Sequence, residues 1–278
     1  MSGIRWDAVI PSERLPPGFA EQIETEPLNP AVPRPAATAV LLRDSAAGME
    51  VLLLKRHRSS GFVPGAYVFP GGRVDTADAS AELRGLVREA PTEPSLEYWL
   101  ATVREVFEET GVLLACTADG RNAAHGFRGG LLADLREGLM TDSIGLIDVL
   151  RSLDAVPDLT SLAYAAHWIT PLVEPRRYDT RFFYAKLPEG AVATADAREM
   201  SDARWLRPVV ALTEFAGGRL PMVFPTVRTL EGLKQYDTTD AALDAARKMT
   251  IRPILPSLVR VPGGVGLIIE NEDGPSEG

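Results

Sequence analysis

Three glutamates fall within five positions of the stretch VREVFEETGVLL, residues 103–114. At about 100° per residue, Glu105, Glu108 and Glu109 share one side of a helix, and like charges at that spacing repel. Trp99, Val103, Val106 and Thr110 fall in a narrow arc on the other side, flanked by Leu100 and Phe107. The spacing predicts an amphipathic helix with its carboxylates turned away from the packing face. A solvated acidic face is one explanation. A hard divalent cation is another: magnesium takes oxygen ligands, a few of them carboxylates and the rest water and substrate phosphates. Such a cation would turn repulsion into a binding site.

Other residues with chemical potential lie upstream and downstream. FPGG, residues 69–72, reads as a turn whose Gly71 and Gly72 let backbone approach the helix. The run Lys55-Arg56-His57-Arg58 precedes it, and Arg56 and Arg58 could meet a phosphate or simply end a strand in solvent. Arg176, Arg177 and Arg181 surround Tyr178, Phe182 and Phe183. That mixture suits phosphate and adenine, although alternating aromatics on a strand also suit a core. Glu199, in AREMSDARWL, is a candidate base or a solvated loop charge. His167 beside Trp168 reads as a core histidine rather than a ligand.

The elements that must position these groups alternate between strand and helix. TAVLLR and VLLLKR are short aliphatic runs separated by DSAAGME, which predicts a hairpin. AYVFPGG reads as a short strand ending in a turn. Residues 80–90 read as a helix stopped by APTEP; a second runs from a Ser95 cap to Thr110, with Gly111 as its stop. LLADLREGLM and IGLIDVLRSL are helical patterns; SLAYAAHWIT, RFFYAKL and ARWL read as strands; TVRTLEGLKQY and TDAALDAARKM close the chain as helices. This order predicts an α/β (α+β) fold with a mixed central sheet between helical layers.

The chain has 278 residues, 45% hydrophobic, enough for a sizeable core. A net charge of −9 argues against nucleic-acid and anionic-membrane partners. One cysteine, Cys116, excludes an intrachain disulfide and suits a reducing compartment. No apolar run reaches spanning length and the N-terminus lacks a signal pattern, so a cytoplasmic location is expected. Seven prolines between residues 11 and 35 predict an extended arm over residues 1–35. The arm could wrap the domain or a partner subunit, which leaves a homodimer open. Residues 36–265 form the expected domain and 266–278 a flexible acidic tail.

The acidic stretch also carries a resemblance. Arg104-Glu105-Val106-Phe107-Glu108-Glu109-Thr110-Gly111-Val112 matches the second half of the Nudix box at every specified position. In the first half, Gly72 is followed by five residues and then Asp78 where the box has glutamate; the seven-residue spacer becomes residues 79–103, an insertion of about eighteen. Gly65, Phe69, Pro70, Gly71 and Gly72 fit a motif of coenzyme A-cleaving members; Gly61 stands where that motif has arginine. The chain thus resembles an interrupted-box Nudix subgroup over roughly residues 36–250.

The resemblance implies an α/β/α sandwich with added helices. It also implies Mg²⁺- or Mn²⁺-dependent hydrolysis of a nucleoside diphosphate linked to another group. Glu105, Glu108 and Glu109 would be metal ligands, with Arg104 orienting a glutamate. The base would be Glu199 or a helix glutamate acting through water. The partner would be a small nucleotide-type molecule: coenzyme A or acyl-coenzyme A first, with dinucleotides, nucleotide sugars or a non-catalytic binding module as alternatives. The acidic helix is expected to pack against Gly72 despite the insertion, with residues 79–94 bulging out as a lid or rim.

Overall fold

The computed structural model describes residues 8–11, 23, 29–57, 64–124 and 130–269. Two compact units emerge. The larger comprises residues 36–166 and 181–251; the smaller comprises 1–35, 167–180 and 252–278.

The larger unit is built on the hairpin of β2 (Arg34–Ser45) and β3 (Gly48–Arg56). The two pair antiparallel from Leu42↔Val51 to Ser45↔Gly48, so the turn shrinks to Ala46–Ala47. Positions 39–42 and 51–54 are almost continuously buried, as expected of strands covered on both faces. β3 also pairs antiparallel with β10 (Met200–Leu206), and β2 lies next to β9 (Tyr178–Lys186), which lies next to β8 (Leu162–Ile169).

The FPGG segment differs from expectation. It is not a free turn: β4 (Tyr67–Val68) pairs with β3, and β5 (Gly71–Arg73) pairs with β2. A Cβ on Gly71 would overlap Ala37 O and Thr38 Cα, and its φ is +155°. Only glycine lets this strand lie so close to β2.

Among the described residues of this unit, seven α-helices accompany the strands: α1 (Ala81–Leu86), α2 (Leu96–Thr110), α3 (Gly130–Met140), α4 (Leu146–Ser152), α5 (Pro208–Ala216), α6 (Phe224–Leu233) and α7 (Thr239–Lys248). The expected limits of α2 hold, with Gly111 left-handed at φ 71° and its N–H donating to Phe107 O. Its amphipathy does not. Trp99, Val103, Val106 and Phe107 pack as foreseen, Trp99 lying 4.8 Å from the Phe183 ring centroid, yet Glu105 and Glu109 are buried too. Sequence periodicity sees one apolar stripe; it cannot see β5 and a short 3₁₀ turn (Thr76–Ala79) covering the other side.

The insertion packs back onto the main core. Residues 81, 82, 84, 85 and 88–90 are exposed, but Leu83 is 2% exposed and joins the main core, with Leu86 and Val87 packed alongside. The bulge is therefore anchored rather than free. A small pair absent from the sequence reading, β6 (Ala115–Thr117) with β7 (Ala155–Pro157), follows α2.

In the smaller unit, β1 (Ala8–Pro11), β13 (Gly264–Ile268) and β12 (Ser257–Val261) form an antiparallel sheet, and β11 (Pro253–Ile254) pairs in parallel with His167–Trp168. Strand residues thus occur within both terminal segments that composition alone reads as an arm and a tail. No helix among the described residues is long and apolar enough to cross a membrane.

Candidate active site

The acidic site is organised around Arg104, in the second half of α2. Its Nε and Nη2 donate to Asp78 Oδ1 and Oδ2, each at 3.0 Å. Nη1 donates to Glu105 Oε1 at 2.9 Å and Glu108 Oε2 at 3.0 Å, and Nη2 also reaches Arg73 O at 2.8 Å. All five guanidinium N–H groups therefore have acceptors. Asp78, 1% exposed, sits in the 3₁₀ turn before the insertion and Arg104 lies after it. The fork between them closes the interrupted segment into one site, with the geometry that arginine suits better than lysine.

The glycine strand covers the carboxylates. A Cβ on Gly72 would collide with the Glu105 carboxylate. Gly71 N–H donates to Glu109 Oε2 at 3.0 Å. Burial, opposed by Arg104 and reinforced by Glu108, pushes the Glu105 carboxyl up to about 7. Burial also raises Glu108, against the pull of Arg104. Glu109 is raised well above the usual range by burial and the Glu105 charge; the Gly71 N–H and Arg56 oppose this, while Glu199 adds to it. Burial would lower the Arg104 pKa, but Asp78, Glu105 and Glu108 outweigh it and the net shift is upward.

Among the described residues no group of three or more His, Cys, Asp or Glu side chains is arranged to hold a metal ion. Glu105 Oε1 and Glu108 Oε2 are turned to Arg104 instead. The donor set nevertheless fits a hard divalent cation. It offers carboxylate oxygens: the Arg104 guanidinium is bonded to Asp78, Glu105 and Glu108, while Glu109 takes the Gly71 N–H. Burial pushes all three glutamates toward the neutral acid, the response of carboxylates taken out of water.

The remaining candidates separate. Glu199 is exposed, and its negative charge is felt by Glu109. Arg56, at the end of β3, also acts on Glu109, and its Nε is buried without a hydrogen-bond partner among the described residues. Arg58 lies outside the described residues. Arg181 stacks over the Tyr98 ring at 4.4 Å, tying β9 to the start of α2. Arg177 belongs to the smaller unit, where its guanidinium donates to Thr170 O and Ala31 O. His167 faces Asp179 there, as expected of a satisfied histidine. Sequence reading missed Arg136 on α3, whose Nε donates to Glu108 O at 2.8 Å. Nothing in the local pattern of LLADLREGLM marks it.

A glycine strand laid on an Arg-Glu-x-x-Glu-Glu helix within an α/β sheet defines a Nudix-type domain. In keeping with that, the crystal structure of a NUDIX hydrolase from Alicyclobacillus acidocaldarius superposes with a TM-score of 0.67 at 28% identity, covering 77% of this chain and 96% of that one. The family model of the NUDT19 Nudix domain matches residues 25–99 and 89–233, and the chain belongs to that family. It is 31% identical to human acyl-coenzyme A diphosphatase NUDT19, over 66% of this chain and 61% of the human protein. The Xenopus laevis protein of the same name is 25% identical, over 64% and 58% respectively. The chain thus spans about three fifths of the length of these relatives.

Proposed function

We propose that this protein hydrolyses the pyrophosphate bond of a nucleoside diphosphate linked to another group, with coenzyme A or acyl-coenzyme A as the favoured substrate. The observation that carries this reading is the packing of Gly71–Gly72 on Glu105 and Glu109 beside the saturated Arg104. That arrangement keeps a cluster of acids in place at the cost of their preferred ionisation.

Glu105, Glu108 and Glu109 are the residues that would hold Mg²⁺ or Mn²⁺. When bound, such a cation neutralises the diphosphate and lowers the pKa of a water. Arg104 fixes the directions of Glu105 and Glu108 through Nη1. The exposed Glu199 carboxylate, whose charge acts on Glu109, takes the proton from the attacking water. That water adds to one phosphorus, and the bond from that phosphorus to the bridging oxygen breaks. Coenzyme A would yield 4′-phosphopantetheine and adenosine 3′,5′-bisphosphate. The buried Nε–H of Arg56 is a donor in want of an acceptor, which a substrate phosphate oxygen supplies.

A panel of pyrophosphate compounds incubated with Mg²⁺ or Mn²⁺, with products separated by chromatography, tests the reading. Coenzyme A should be cleaved with a kcat/KM roughly tenfold above its 3′-dephospho form, because an arginine–phosphate contact is worth about 1.5–3 kcal/mol. Arg56→Ala should shrink that gap. An equal loss on both substrates would move Arg56 from the 3′-phosphate to the diphosphate. Faster cleavage of dinucleotides or nucleotide sugars would replace the coenzyme A reading, and no product from any compound would leave a binding module.

A further inference from the structure

The C-terminal end of α2 is capped from outside the Nudix box. A helix leaves its last four carbonyls without intrahelical partners. Here only Phe107 O is satisfied locally, by Gly111 N–H at 2.9 Å. Glu108 O takes Arg136 Nε at 2.8 Å, Glu109 O takes Asp196 N–H at 3.0 Å, and Thr110 O takes Thr194 N–H at 2.8 Å. The fork of Arg136 then reaches the same segment, Nη1 to Thr194 Oγ1 at 3.3 Å and Nη2 to Thr194 O at 3.1 Å. One guanidinium therefore joins α3, the end of α2 and residue 194, and its charge sits at the negative end of the helix dipole.

The other end of this segment is pinned as well. His57 donates its backbone N–H to Glu199 O at 3.1 Å and its Nε2–H to Ala197 O at 2.9 Å. Met200 then enters β10 opposite Arg56. Residues 194–199 are thus held at both ends by backbone bonds, while the Glu199 side chain stays exposed.

We propose that Arg136 is a positioning residue: by bonding Glu108 O and both oxygens of Thr194, it sets where Glu199 stands relative to Glu109. This rests on the hydrolase reading and on Glu199 as its base. A carboxylate on a loop gains a defined distance only if the loop is tied to the helix that carries its partners, and misplacement by about 1 Å can cost a hundredfold in rate.

The test is a double-variant cycle with Arg136→Gln and Glu199→Gln, plus Arg136→Lys. Arg136→Gln should lower kcat about tenfold while KM changes less than about threefold. Arg136→Lys should recover part of the loss, since an ammonium still donates to one carbonyl. In the Glu199→Gln background, Arg136→Gln should cost less than about twofold more, because coupled residues are not additive. Amide hydrogen exchange supplies a readout independent of activity: Thr194 and Asp196 should exchange at least about tenfold faster in Arg136→Gln. Multiplicative losses, wild-type turnover in Glu199→Gln, or unchanged exchange at Thr194 and Asp196 would overturn the proposal. A wild-type protein inert on every pyrophosphate compound would instead sink the hydrolase reading, and the exchange data would still decide whether the clamp exists.

Discussion

Leu96–Val103, the first half of α2, is held by apolar packing: Leu96, Trp99, Leu100 and Val103 enter the core, and Trp99 leans on Phe183. The second half, Arg104–Thr110, also sends Val106 and Phe107 into that core, but its other side holds an ionic network, with Asp78, Glu105 and Glu108 around one guanidinium and Glu109 against a backbone N–H. The difference teaches that burial alone does not mean core. The first half stabilises the fold by removing apolar surface from water. The second half concentrates like charge where desolvation opposes it, offset by the Arg104 guanidinium and the Gly71 N–H.

The largest effects should come from cutting each half at its centre. Arg104→Met leaves Asp78 and Glu105 buried beside an apolar chain and should cost about 3–5 kcal/mol of stability, with turnover lost as well. Trp99→Ala should cost a similar 3–5 kcal/mol through its cavity, yet leave turnover per folded molecule within a few fold. Chemical denaturation paired with assays below the unfolding transition checks both; a Trp99→Ala variant as dead as Arg104→Met would erase the distinction between the halves.

Next comes Glu109→Gln, which keeps shape and helix propensity but removes one negative charge. It should lower kcat by at least about a hundredfold while the metal-free melting temperature stays level or rises. Near-wild-type turnover at saturating metal would remove Glu109 from the site.

The smallest effect is on pH dependence in chelator-treated protein. The Glu105 carboxyl moves from 4.5 to about 7 on folding, so the folded state holds its proton over a range where the unfolded state has released it. Linkage then makes stability fall as pH rises through that window. The difference in Tm between Glu105→Gln and wild type should therefore grow from pH 5 to pH 8 and shrink when Mn²⁺ is restored. A pH-independent difference would argue that Glu105 is not held against its ionisation.

Much of this was legible along the chain. Ser95 and Gly111 bracket α2, because a left-handed stop after a periodic run is a local event, and the β2–β3 hairpin follows from two aliphatic runs and a turn. The spacing of Glu105, Glu108 and Glu109 beside Gly71–Gly72 was enough to nominate the site. Tertiary structure alone decided that the acidic face is covered, that Asp78 meets Arg104 across the insertion, that Arg177 is spent on backbone carbonyls, and that Arg136 caps the helix from α3. Local pattern reports a residue's neighbours along the chain. It carries no record of side chains bonded to distant backbone carbonyls, since every residue offers the same carbonyl and only the fold determines which donor reaches it.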